Sequence, residues 1–110
     1  MYHEQTARAN HKGSCNCAQA VFVAFARELG LSTAEAMNAS PKPRAEGGKC
    51  GAFLAAREIL SRLKPEAVEA FEQRFLAANG STECLRLRLA RKPCNDYVGG
   101  AARMAEEALE

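Results

Sequence analysis

The chain has no tryptophan, only 6% aromatic residues and a formal net charge of +2. Those shortages exclude a base-stacking surface, and so small a charge excess makes no case for nucleic acid or a membrane as partner. No apolar run is long enough to span a bilayer, and Tyr2-His3-Glu4-Gln5 is not the basic lead of a secretory signal, so the sequence reads as cytoplasmic. Cys-x-x-Cys is missing, and with it the paired spacing by which zinc ribbons and ferredoxins usually supply ligands. Cys-x-x-Cys-His is missing too, which removes the case for covalent haem.

What the chain does have is five cysteines in 110 residues. A chain of this length buries about 65% of its unfolded surface, so one domain over 1–110, with 1–14 as a lead segment, folds without disulfide staples. In a reducing compartment clustered cysteines bind metal or cycle through redox states.

Four of the five follow helix-start signals. Asn16 precedes Cys17 as a cap with Gln19 three residues on, and Gly47-Gly48 leads into Cys50. Ser81-Thr82 lies before Cys84, and Pro93 directly before Cys94. A sulfur held in the first turn of a helix lies near unpaired N–H groups and the positive end of the macrodipole, which favour the thiolate. Thiolate attacks disulfides and binds metals. Cys15 precedes the Asn16 cap, stands outside this set and is expected to be dispensable to its chemistry.

Helical spacing of Ala18, Val21, Phe22, Phe25 and Leu29, stopped by Gly30, predicts a helix over 17–29. A polar helix over 2–11 precedes it. Ser32-Thr33-Ala34-Glu35 opens a brief helix that ends before Pro41, and 40–48 is the longest loop. Ala52, Ala55, Ala56, Ile59, Leu60 and Leu63 form the stripe of a core helix. Pro65 opens another with Val68, Phe71 and Phe75 inward and Asn79-Gly80 closing it, and Pro93 opens the last, with Tyr97, Val98, Ala101, Ala105 and Ala108 as its stripe. Leu85-Arg86-Leu87-Arg88-Leu89 alternates like a strand, yet a lone strand would have no partner, so a short helix is expected. The fold class is all-α, a small bundle of about five or six helices.

With the cysteines placed, Asn16-Cys17-Ala18-Gln19-Ala20-Val21, Cys50-Gly51-Ala52, Asn79-Gly80-Ser81 to Cys84, and Pro93-Cys94 with Val98 resemble the redox-active family C_GCAxxG_C_C. The resemblance implies a small helical domain whose family cysteines fall on Cys17, Cys50, Cys84 and Cys94, and it implies redox work without naming a reaction. Ala55 stands where the motif closes with glycine, and Pro41, Lys42, Pro43 and Arg44 partly replace the glycine-rich run before the second cysteine.

Three readings of the four cysteines stay open. In the first, a thiolate among Cys17, Cys50, Cys84 and Cys94 attacks the disulfide of a protein redox partner and a second cysteine resolves the mixed disulfide. In the second, the same four ligate zinc or an iron-sulfur cluster. In the third they are structural thiols of an interaction domain. Both active readings require the four to meet in space. His3 and His11 read as solvated, with His11 the one able to reach the thiols. Arg86, Arg88, Arg91 and Lys92 read as a solvated basic face that could also lower a thiol pKa or dock an acidic partner.

Overall fold

The computed structural model describes residues 2–90 and 92–110, so Arg91 of the basic segment lies outside the described residues. Among the described residues the chain is all-α, with nine α-helices and one 3-10 turn. Six of the helices have seven or more residues, and the count exceeds the expected five or six because short helical turns fill the connections.

The N-terminal lead forms α1 (Tyr2–Lys12). The expected helix over 17–29 is two, α2 (Cys17–Ala24) and α3 (Ala26–Leu29), broken at Phe25, whose N–H reaches back to Phe22 and Val23. No glycine or proline marks the break. There Phe25 is fully buried and its ring stacks on His3 at 4.1 Å between centroids. Gly30 ends α3 in the left-handed conformation, as Gly80 ends the helix that runs to Asn79, both without the Cβ penalty of another residue.

Both predicted capping boxes form. Asn16 Oδ1 accepts from the Gln19 N–H at 2.8 Å while Gln19 Oε1 accepts from the Asn16 N–H at 3.0 Å. Ser32 and Glu35 repeat the arrangement at 3.1 and 2.8 Å, opening α4 (Thr33–Ala39). Ser32→Ala is expected to cost about 1 kcal/mol in urea denaturation. The thiols lie elsewhere, so their reactivity should stay unchanged.

The expected loop over 40–48 contains a helical turn, α5 (Ala45–Gly48), in which Glu46 and Gly47 have left-handed dihedrals. It leads into α6 (Gly51–Leu63), the core helix, with Ala52, Ala55, Ala56, Ile59 and Leu60 buried as the stripe predicts, while Leu63 is exposed. Pro65 opens a 3-10 turn (Pro65–Ala67) rather than the helix itself, and α7 (Val68–Asn79) follows with Phe71 and Phe75 inward against Phe53.

The alternating segment is helix α8 (Cys84–Leu89). Only Leu87 is anchored, at 2% exposed, with its carbonyl accepting from Tyr97 Oη–H at 2.8 Å, while Leu85 and Leu89 are 71% and 74% exposed. One β-bridge, Lys49 to Glu83, is the sole trace of strand pairing among the described residues. With the Cys50 N–H donating to the Thr82 carbonyl at 2.8 Å, it sets the start of α6 beside the start of α8.

The last helix, α9 (Cys94–Leu109), packs against α1, α2, α6 and α7, and α2, α6 and α9 enclose the core. Arg8 clasps α1 to α9 by donating to Asp96 at 2.8 Å and Glu4 at 3.2 Å, over a surface that Gly99 leaves open for it. His3 is not solvated. Its ring lies between Glu28, at 2.5 Å, and Glu106, and hydrogen bonding to His3 holds the Glu106 carboxyl below its ordinary range.

Candidate functional site

Each of the four expected cysteines stands at a helix start. Cys17, Cys84 and Cys94 are the first residues of α2, α8 and α9, and Cys50 is the residue that caps α6. The residue that caps α8 is Glu83 rather than Ser81 or Thr82, although Ser81 Oγ accepts from the Glu83 N–H at 2.9 Å. The starts converge because the chain turns back twice. The bridge at Lys49 and Glu83 joins α6 to α8, and the short α8 returns the chain to Pro93.

Cys17, Cys84 and Cys94 line one open depression of about 350 Å³, together with His11, Asn16, Pro43, Arg44 and Arg88. Cys50 lies outside the lining, 3% exposed, yet close enough that its charge and those of Cys17 and Cys84 act on Cys94. All five cysteines carry free thiols. Cys15 is half-buried against the core and does not line the depression.

Cys17 is the thiol drawn toward the anion. Its pKa is lowered to about 6, first by hydrogen bonding with the Cys94 thiol, against the opposing effect of burial, and then by the N–H groups of Ala18, Gly51 and Ala52. Ala18 belongs to its own helix; Gly51 and Ala52 belong to the first turn of α6. Two helix starts therefore donate to one sulfur. Gly51 makes this approach possible, since a Cβ there would lie 2.4 Å from Cys17 Sγ and 3.2 Å from Pro43 Cβ.

Two neighbouring thiols, Cys94 and Cys50, are held protonated. Cys94 is pushed far up, mainly because it donates to the Cys17 sulfur, and burial pushes Cys50 up to about 11. A cluster of thiols can avoid mutual repulsion by staying protonated, and here one anion is shared with a protonated neighbour.

Asn95 carries no signal of its place in the sequence, while His11 departs from its solvated reading and takes the other one, within reach of the thiols. His11 is half-buried and lines the depression rather than being solvated. Asn95 fixes it: its Nδ2 donates to the Arg8 carbonyl at 3.1 Å and to His11 Nδ1 at 3.1 Å. Accepting at Nδ1, neutral His11 carries its proton on Nε2. Of the basic segment, Arg88 reaches the site, Lys92 lies over the Tyr97 ring at 5.1 Å, and Arg86 stands 3.7 Å from Glu83.

Among the described residues no three His, Cys, Asp or Glu side chains are gathered as a ligand set. No helix among the described residues is long and apolar enough to cross a membrane.

The fold and site thus define a small helical domain with four cysteines at converging helix starts. The chain belongs to the family described as "Putative redox-active protein (C_GCAxxG_C_C)", which matches residues 15–108. No curated protein and no solved structure matches the chain.

Proposed function

We propose that this domain performs thiol-disulfide exchange with Cys17 as the attacking thiolate and Cys94 as the resolving thiol. The observation that carries the reading is that Cys17 and Cys94 line one depression at converging helix starts, and the N–H groups of Ala18, Gly51 and Ala52 beside the Cys17 sulfur favour it as the anion of the two. Family membership supports a redox role in general.

Cys17 Sγ attacks one sulfur of a disulfide RSSR, forming Cys17–S–S–R and expelling RS⁻. Once Cys17 is bonded, Cys94 no longer faces an anion that holds its proton in place, and its pKa falls. The Cys94 proton passes to the departing RS⁻. The Cys94 thiolate then attacks Cys17 Sγ, closing a Cys17–Cys94 disulfide and releasing the second R group as RS⁻, which takes its proton from water. Two protein thiols are oxidised and one RSSR is reduced to two RSH. Cys50 and Cys84 remain thiols throughout.

Alkylation followed by mass spectrometry tests this. Cys17 is expected to be half-reactive near pH 6, against about 8.5 for an ordinary thiol, with Cys50 the slowest. Cys94→Ala should move Cys17 back toward the ordinary value and leave the mixed disulfide unresolved. Cys17 titrating at or above the ordinary value would overturn the assignment.

A further inference from the structure

The walls of the depression carry charge of one sign. Arg44 enters from the segment before α5 and Arg88 from α8, His11 and Asn16 add polar groups, and no Asp or Glu lines it. Five arginines elsewhere are matched, Arg8 with Glu4 and Asp96, Arg57 with Glu46 and Glu72, Arg62 with Glu58, Arg74 with Glu107 and Arg86 with Glu83, while Arg27 and Arg103 stand apart from the thiols. Arg44 and Arg88 have no carboxylate partner among the described residues. Both guanidiniums therefore keep their donors available at the mouth of a thiol site.

The backbone at Arg44 adds a second observation. Arg44 has φ 66 and ψ 11, a left-handed conformation that costs a non-glycine residue about 1–2 kcal/mol. Two hydrogen bonds hold it there: its N–H donates to the Lys49 carbonyl at 2.9 Å, and its carbonyl accepts from the Gly48 N–H at 3.0 Å. Glycine would meet this backbone requirement at less cost, yet the position carries a long cation at the rim of the thiols. Glu46 in the same turn is left-handed too, so the turn as a whole fixes where Arg44 leaves the backbone.

We infer that the substrate is a small disulfide bearing carboxylates on both sides of its sulfurs, with a reacting sulfur at Cys17 and the carboxylates on Arg44 and Arg88. This rests on the exchange reading above and names its substrate class. A depression of about 350 Å³ is the size of a small-molecule site rather than a protein interface. Arginine suits carboxylate because its planar fork can donate two parallel hydrogen bonds. The covalent step is the one already balanced: the carboxylate-bearing disulfide is the oxidant and leaves as two carboxylate-bearing thiols.

The test compares three disulfides of similar length with the reduced chain: 3,3′-dithiodipropionate, 2-hydroxyethyl disulfide and cystamine, which carry two negative charges, none and two positive charges. Each rate is divided by that disulfide's rate with free 2-mercaptoethanol, which removes intrinsic reactivity. At low salt the dianion is expected to exceed the neutral compound by about tenfold and the dication to fall below it. The preference should collapse in 1 M NaCl, where the screening length is about 3 Å. Arg44→Gln with Arg88→Gln should bring the normalised dianion-to-neutral ratio near one, whereas Arg86→Gln, outside the lining, should leave that ratio as it is. A ratio near one in the unsubstituted chain, or one that survives the double substitution, overturns the substrate class while leaving exchange intact. Failure of all three disulfides to react, the neutral one included, overturns exchange itself and this inference with it.

Discussion

Alanine at position 51 is expected to destabilise the domain by about 1–3 kcal/mol and to raise the pH of Cys17 half-reaction by about one unit or more. In an open helix the same exchange stabilises, since alanine is the better helix former by about 1 kcal/mol. Here the added Cβ would lie 2.4 Å from Cys17 Sγ and 3.2 Å from the Ala18 nitrogen, so the sulfur has to move. Cys17 has a single side-chain rotor and no flexible tip to bend away. Displaced, its sulfur loses the Gly51 and Ala52 N–H groups that help hold it as an anion. Urea denaturation and alkylation against pH read the two effects. Combining Gly51→Ala with Cys17→Ala should recover much of the stability, because the clashing atom is gone. An unchanged midpoint and an unchanged Cys17 profile in Gly51→Ala would show that the close approach is not what positions this thiol.

Phe75→Ala is expected to cost about 3–5 kcal/mol, a large part of the 5–15 kcal/mol that is usual for a domain. Phe75 is fully buried, with its ring 5.2 Å from Phe53 and 6.1 Å from Phe71 between centroids. Phe71 and Phe75 are the two buried residues of α7, so this cluster is what holds that helix to α6. The cavity left by the ring cannot be refilled by alanine. Since α7 contributes no residue to the depression, Cys17 in the folded variant should keep its pH profile while the urea midpoint falls. A cost under about 1 kcal/mol would mean that α7 is held by something other than its aromatic residues.

The parts of the fold that could be read from sequence are those set by neighbours along the chain. Asn16 with Gln19 and Ser32 with Glu35 are local patterns, and they place Cys17 and α4 directly. The stripe of α6 is local too, and the short segment at 85–89 was recoverable because an unpaired strand is not viable. What could not be read depends on residues far apart in sequence. His11 is brought into the site by Asn95, and Arg8 reaches the same segment, across more than 80 positions. The break at Phe25 carries no glycine or proline to announce it. Gly51 looks like an ordinary first residue of a helix until Cys17 Sγ is found against it. The cysteines themselves were legible by position, but which one ionises was not, because that depends on who donates to whom.

The sulfur of Cys17 owes its charge to groups at positions 18, 51, 52 and 94. During synthesis Cys17 emerges long before its partners on α6 and α9 exist, so a nascent chain carries it as an ordinary, largely protonated thiol. The thiolate fraction rises as the fold is completed. The low pKa at Cys17 thus belongs to the assembled domain and waits on α6 and α9 taking their places beside α2.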